Sequence, residues 1–297
     1  MTIRHLRIFV AVCEDGSITG AARGLYMTQP AVSLAIRELE EGYGLKLFDR
    51  LSRGIQLTGE GRRMLEYASH VISLFDEMES AMKSPEAAGE LRIGSSLTIG
   101  ARLLPGYTQQ LVRRCPGMKP RVFIDNSNNV IDSVIHGRRD VGLVEGAVRD
   151  DALVATAFME DALLAVCGRE NPLAAEISVT IDRFLAQPLL LRERGSGTRE
   201  LFQSAITLMG KTCVPAWESI STTALIHAVE AGCGVSVLPR RLVEEHIHAG
   251  KLLKINLENI DLRRSFFLIH HRNKYLSAGL KAFMSVVMER RLCSQEQ

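Results

Sequence analysis

The sequence predicts a chain in three parts: a helical head with a short two-stranded appendage, one long amphipathic helix, and a two-lobed α/β body. Three observations carry this. Residues 18–37 read as two short helices joined by a tight turn. Apolar residues between Met64 and Met82 recur every three or four positions, the repeat of a single helix. From residue 91 onward, short β-branched runs alternate with helical stretches, the pattern of βαβ units.

In the head, Ile18, Ala21, Ala22 and Leu25 recur at i, i+3, i+4 and i+7, which gives the first helix of the pair one buried stripe. Thr28 is a good N-cap, and Pro30 falls in the first turn of the next helix, where its missing N–H costs little. Val32, Ile36 and Leu39 form the inner face, leaving Ser33, Leu34 and Arg37 outward beside Gln29 and Pro30. This is the layout of a helix-turn-helix, whose second helix enters the major groove of DNA with its N-terminal residues at base edges. A generic helical hairpin leaves the same pattern, so the flanks matter. Upstream, Leu6, Phe9, Val10 and Cys13 form a stripe able to cover the pair. Downstream, Leu47–Arg50 and Arg53–Thr58 read as a two-stranded segment with a Gly turn and arginines near its tip, a wing beside the duplex backbone. The favoured reading is a winged helix-turn-helix. Its candidate contacts to double-stranded promoter DNA are Thr28, Gln29, Pro30, Ser33, Arg37, Arg50 and Arg53.

The first sixty residues resemble the LysR-type transcriptional regulators almost continuously. The match lies in Leu6–Val12, Gln29-Pro30-Ala31-Val32-Ser33, Ile36-Arg37-Glu38-Leu39-Glu40, Leu47-Phe48-Asp49-Arg50 and Leu57-Thr58-Gly59-Glu60-Gly61. Two places depart from the family pattern. Leu34 stands where a polar or basic residue is usual, and Gly42-Tyr43 replaces the more usual Leu-Gly.

Along the long helix, Met64, Ala68, Val71, Phe75, Met78 and Met82 step by 4, 3, 4, 3 and 4, a near-heptad seam widened by Leu65, Ile72 and Leu74. Such a seam either pairs two chains or packs against its own domain. The resemblance implies pairing: a homodimer, commonly assembled into a homotetramer, that presents two recognition helices to a pseudo-palindromic site. Ser84–Gly89 reads as a short hinge ending the helix.

In the body, strands are expected at Leu91–Gly94, Arg121–Asp125, Val141–Val144 and Leu163–Cys167, then at Leu189–Arg192, Val214–Glu218, Val235–Leu238, Leu252–Asn256 and Ser265–His270. Helices are expected at Ile99–Arg114, Asn129–His136, Thr198–Met209, Thr223–Ala231, Arg240–Ala249 and Tyr275–Arg291. Strands and helices at this spacing indicate parallel sheets in two lobes. The resemblance implies a periplasmic-binding-protein-like domain whose chain crosses between lobes near residue 161 and returns near 266. The expected division is therefore a DNA-binding domain at 1–58, a linker helix and hinge at 59–89, and a regulatory domain at 90–297. Within the last, one lobe comprises 90–161 and 266–297 and the other 162–265.

Ligands of such folds sit beyond the carboxyl ends of the strands, against helix N-termini. Gly94–Thr98, Asn126–Asn128, Gly195–Thr198 and Ser221–Thr223 place small hydroxyl and amide residues there, though Ser and Thr at helix starts also serve as ordinary caps. Asn128, Thr198 and Thr222 are candidates on this ground, and the resemblance implies that Ser96, Thr98 and Ser196 line an effector cleft. The expected effector is a small anion held mainly by neutral donors, with Arg192, Arg194 and Arg199 near enough to add charge. Residues 191–200 resemble family members that sense inorganic sulfur oxyanions or govern carbon and sulfur assimilation.

Composition limits the other function classes. Net charge is +2, and residues 1–63 hold nine Lys/Arg against seven Asp/Glu, too balanced for a sequence-blind polyelectrolyte binder. The apolar runs are shorter than a membrane span and the start, Met1–His5, is too charged for a signal peptide, so a cytoplasmic location is expected. The six cysteines show no C-x-x-C pair. Gly195-Ser196-Gly197 lacks the spacing of a nucleophile elbow, and Gly232-Cys233-Gly234 precedes a strand where a dinucleotide loop would follow one. Neither His246 and His248 nor His270-His271 has a ligand set for a metal. The reading is a regulator with no enzymatic activity and no cofactor beyond its effector, and RNA polymerase is a further candidate partner. An architectural DNA-binding protein and a solute-binding protein with a helical head are the alternatives.

Overall fold

The computed structural model describes residues 1–50, 55–83 and 89–293. The head is built from α1 (Ile3–Asp15), α2 (Ile18–Gly24), α3 (Gln29–Tyr43) and a hairpin of β1 (Phe48–Arg50) with β2 (Ile55–Leu57), paired antiparallel. Ser17 caps α2 by accepting the Gly20 N–H at 2.9 Å. Phe9, Val12, Val32 and Leu39 are fully buried in its core, and the Phe9 ring lies 5.4 Å from Phe48, which fastens the wing to α1. Val10 and Cys13, expected on the buried stripe, sit at its edge, and Ile8 and Val12 take the central places. Burial still pushes the Cys13 thiol up to about 12, with Glu14 adding to it, so it carries no thiolate near neutrality.

Helix α4 (Gly59–Lys83) leaves the head as one continuous rod. Its predicted seam is split. Ala68 is buried against the head and Met64 is partly buried beside it, because Ala68 lets α4 approach α1 closely. Those two positions are occupied within the chain itself. Val71, Met78 and Met82 remain 48 %, 50 % and 75 % exposed, joined by Tyr67 and Leu74, while Phe75 is half-buried. The exposed apolar line is therefore Tyr67, Val71, Leu74, Met78 and Met82, which keeps Val71, Met78 and Met82 of the predicted seam and has Tyr67 and Leu74 in place of Met64, Ala68 and Phe75. Of the expected hinge, residues 84–88 lie outside the described residues.

The body is a mixed α/β structure around one curled seven-stranded sheet. In chain order its elements are β3 (Glu90–Ser96), α5 (Leu97–Arg102), α6 (Leu104–Arg114), β4 (Lys119–Asp125), α7 (Ser127–Ile135), β5 (Val141–Glu145) and β6 (Leu153–Gly168). They continue with α8 (Ile181–Leu185), β7 (Leu190–Arg192), α9 (Gly197–Leu208), β8 (Trp217–Ser219), α10 (Thr222–Glu230) and β9 (Val235–Pro239). The last are α11 (Arg240–His248), β10 (Leu252–Ile255), β11 (Arg263–His271) and α12 (Ala278–Cys293). Strands β3, β4 and β5 are parallel, as the βαβ spacing predicts. The single helix expected at Ile99–Arg114 breaks between α5 and α6, where Pro105 removes a backbone donor and its ring crowds the preceding turn.

The crossover near 161 is not a loop. β6 runs for sixteen residues through both lobes and pairs antiparallel with β11 from Arg263↔Ala162 to His271↔Leu153. Beyond it, β9 and β10 also pair antiparallel with β6, so the expected second parallel sheet is reduced to the two-stranded β7–β8 ladder and a parallel bridge from Leu189 to Val235. The long strand is thus interior to the sheet, with β11 on one side and β9 and β10 as its further partners. Separate apolar cores flank the ribbon: Tyr107, Phe158, Phe266 and Phe283 in the first lobe, Phe184, Phe202 and Val235 in the second.

Candidate functional site

The tip of α3 is presented to solvent. Thr28, Gln29 and Pro30 are exposed, Ser33 is half-buried, and Leu34 is 44 % exposed beside them. Thr28 holds the N-cap position, yet its side chain takes no hydrogen bond from the helix. Arg37 is exposed and lies 3.6 Å from Glu41 one turn on. The Arg50 side chain and Arg53 lie outside the described residues. Two features escaped the sequence reading. Tyr26, in the turn before Thr28, has a positive φ of 53° and is 98 % exposed. Glu40 faces inward: it accepts the Leu47 N–H at 2.9 Å and the Lys46 ammonium at 2.7 Å, tying the wing to the end of α3. Burial alone would raise its carboxyl, but these donors hold it below the usual range.

In the body, side chains converge where the two lobes meet. Glu145 ends β5, Ser96 ends β3, Thr98 opens α5, Thr198 opens α9, and Asp161 and Arg264 face each other across the β6–β11 ribbon. All are buried. The Ser96 hydroxyl donates to Glu145 Oε1 at 2.7 Å and the Thr98 N–H to the same oxygen at 3.1 Å. Arg264 Nη1 donates to Glu145 Oε2 and to Thr198 Oγ1, the latter at 3.1 Å, while Nε and Nη2 hold Asp161 Oδ2 at 3.0 and 2.8 Å. Arg241 approaches Asp161 Oδ1 at 3.6 Å. Burial would push the Glu145 carboxyl up. Instead the Arg264 charge and the Ser96 and Thr98 donors hold it below the ordinary carboxylate range.

Of the predicted effector residues, Ser96, Thr98 and Thr198 come together here. Ser196 is buried at the N-cap of α9 without capping it. Asn128 is exposed on the rim, its side chain donating to Glu200 at 2.9 Å and its backbone N–H to the Gly195 carbonyl at 3.2 Å. Thr222 lies aside, accepting from Arg192 at 3.0 Å. Arg192 and Arg199 are buried beneath the Gly195–Gly197 loop and Arg194 is exposed; Arg192 is matched by Glu193 at 2.8 Å. The charged trio Glu145, Asp161 and Arg264 was missed. Its only trace was a carboxylate closing an otherwise apolar strand and an arginine opening another. The lobes touch closely at this point: a Cβ on Gly197 would lie 2.5 Å from the Glu145 carbonyl oxygen.

The linker helix docks on the same body. His70 stacks on His271 with ring centroids 3.7 Å apart, and Ser73 receives Arg92 at 3.0 Å and Lys274 at 2.8 Å. Both cations also bind the buried Asp140. A cavity of about 430 Å³ opens beside this joint, between Tyr67, Leu74 and Tyr275.

Two family models cover the chain. That described as LysR substrate binding domain matches residues 84–291, and that described as bacterial regulatory helix-turn-helix protein, lysR family, matches 3–62. The chain belongs to the LysR family. As a LysR-type transcriptional regulator it joins a DNA-binding helix-turn-helix head to an effector-binding domain, and it is not an enzyme. The regulator YeiE of Escherichia coli K12 is 33% identical over 284 residues, covering 96% of each chain. A full-length OxyR variant from Pseudomonas aeruginosa superposes with a TM-score of 0.71 at 21% identity, over 97% of this chain and 94% of that one. The regulatory domain of Synechocystis CcmR, solved in complex with 2-PG, matches with a TM-score of 0.63 at 21% identity, over 68% of this chain and 97% of that one. Among the described residues, no helix is long and apolar enough to cross a membrane.

Proposed function

We propose that this LysR-type regulator senses a small anionic metabolite at the junction of its two lobes and reads a specific operator through α3. The observation that carries the effector class is the donor set around Glu145: the Ser96 hydroxyl, the Thr98 N–H and the Arg264 guanidinium all converge on a carboxylate. Donors that suit one carboxylate suit another oxyanion of similar size. The neighbouring CcmR regulatory domain, with 2-PG bound, supports an effector in the same domain. Titration calorimetry of the full chain with sulfite, sulfate, phosphate and small carboxylates tests the class. Saturable binding of a neutral or cationic metabolite alone overturns it.

On the DNA side, Thr28, Gln29, Pro30, Ser33 and Arg37 are the proposed contacts, with Arg50 and Arg53 proposed from the sequence for the wing. Base contacts of this kind each carry ~1–3 kcal/mol of discrimination. Gln29→Ala or Ser33→Ala in a folded protein should therefore erase an operator footprint that the parent leaves. We further propose that the chain divides at 1–58, 59–89 and 90–297, and that two copies pair along Tyr67, Val71, Leu74, Met78 and Met82, the exposed line of α4. Leu74→Glu should yield a monomer in sedimentation. A dimer that survives this change places the interface elsewhere.

A further inference from the structure

Resting on the anionic-effector reading, we infer that the Glu145 carboxylate is a tethered competitor for the effector, an internal anion that holds the effector's donors until it is displaced. The geometry is specific. Its Oε1 takes the Ser96 hydroxyl at 2.7 Å and the Thr98 N–H at 3.1 Å, and its Oε2 takes Arg264. Two of the three residues expected from the family pattern to touch an effector, Ser96 and Thr98, are thus engaged by the chain itself.

Charge balance argues the same way. The junction holds two carboxylates, Glu145 and Asp161, against two guanidinium groups, Arg264 and Arg241. A third negative charge brought into this buried place would be uncompensated, a costly arrangement in a low-dielectric site. Withdrawal of Glu145 restores the balance, because the arriving anion then inherits both the donors and the cation. Asp161 is engaged differently: Nε and Nη2 of Arg264 grip its Oδ2, while the Ser96 hydroxyl and the Thr98 N–H both go to Glu145.

The arrangement also couples binding to lobe geometry. Arg264 Nη1 bridges Glu145 on the first lobe and Thr198 on the second. The Gly197 backbone lies against the Glu145 carbonyl, so motion of the Glu145 segment is felt by the second lobe directly. An anion that replaces the side chain without its backbone tether changes what links the lobes. Such a replacement is the differential contact that lets an effector shift an equilibrium between two arrangements. It also sets selectivity: an effector must outcompete a carboxylate held at the high local concentration that tethering confers.

The test uses the full chain and three proteins: wild type, Glu145→Asp and Glu145→Gln. Glu145→Asp retains the charge but draws the carboxylate back by one methylene from Ser96 and Thr98. Glu145→Gln keeps the shape and removes the charge. Affinity for sulfite, sulfate, phosphate and acetate is measured by calorimetry, with folding checked by circular dichroism. The expected order is wild type weakest, Glu145→Asp tighter, and Glu145→Gln tightest, by about tenfold or more over wild type. If either folded variant binds anions no tighter than wild type, displacement is overturned while the anionic-effector reading stands. If none of the three binds any anion, the anionic-effector reading fails and the inference falls with it.

Discussion

Replacing Gly197 with alanine should open the junction between the lobes without unfolding either. Gly197 is the first residue of α9, and a Cβ built there would meet the Glu145 carbonyl oxygen at 2.5 Å and the Glu145 Cβ at 3.0 Å. An ordinary contact needs roughly 3.4 Å, so the loop must retreat by about 1 Å, and overpacking of this kind costs about 1–3 kcal/mol. Alanine is also the better helix former, by up to about 1 kcal/mol, but that gain is the same whether the lobes are apart or together. The opening equilibrium therefore shifts by about 5- to 150-fold, and global stability falls by at most the same cost less the helix gain. The Asn128 amide reports the change. It lies in the first turn of α7, where the helix offers no acceptor, and its partner is the Gly195 carbonyl across the gap at 3.2 Å. Native-state hydrogen exchange should show that amide exchanging faster in Gly197→Ala by the same factor, with β6 and β11 amides unchanged. Unaltered protection at Asn128 in the folded variant refutes the close approach.

Two further outcomes follow from the linker joint and the head. Burial, with the neighbouring His271, Lys274 and His136 charges outweighing the Ile135 carbonyl, lowers His70 from 6.5 to about 4. Between those values the unfolded chain binds a proton that the folded chain refuses, so stability is full above pH 6.5 and falls as pH drops toward 4. At about 1.36 kcal/mol per unit the ceiling is about 3 kcal/mol, and partial exposure of the ring reduces it to about 1–2 kcal/mol. Thermal melts at about pH 7.5 and about pH 5 should show a loss that His70→Gln makes smaller, and an equal loss in both proteins excludes His70 as its source. Phe9→Ala, at a fully buried ring against Phe48, should cost about 3–5 kcal/mol and melt the head before the body. Coincident melting of head and body in that variant would show that they do not unfold independently.

How far the sequence disclosed this molecule depended on whether apolar spacing carried the information. Helices α2 and α3 were legible because each has one buried face at helical spacing, and the strands of the first lobe because they are short apolar or β-branched runs set between helical stretches. The seam read along α4 took in Met64 and Ala68, which pack against the head, because Ala68, small and apolar, fits an interhelical contact within the chain as well as one between chains. Its polar residues His70 and Ser73 carry no period, yet they make hydrogen bonds to the body. Glu145, Asp161 and Arg264 were invisible for a related reason. They belong to three strands and are separated by up to 119 positions, so only the folded ribbon brings them together. The break before α6 could have been read from Pro105 alone.

The polar side of α4 has a mechanical consequence that ties the cleft to the head. Strand β3 carries Ser96 at one end, on Glu145, and Arg92 four residues earlier, on Ser73 of the linker. An extended strand spans about 3.3 Å per residue, and β3 is paired to β4 on one side and β5 on the other, so a shift at one end is carried along it. Movement at Ser96 is therefore passed to Arg92, and Arg92 with Lys274 holds the Ser73 hydroxyl from two directions. Ser73→Ala removes both hydrogen bonds while leaving Asp140 to keep the two cations in place. Hydrogen bonds to charged groups contribute about 1.5–3 kcal/mol, comparable to the whole coupling energy usual between two sites, about 1–3 kcal/mol. In Ser73→Ala, anion affinity in the absence of DNA should stay at the wild-type value, and the factor by which anion changes operator affinity should shrink toward one. A coupling factor equal to wild type's, with the hydroxyl gone, would mean that the signal does not travel along this strand.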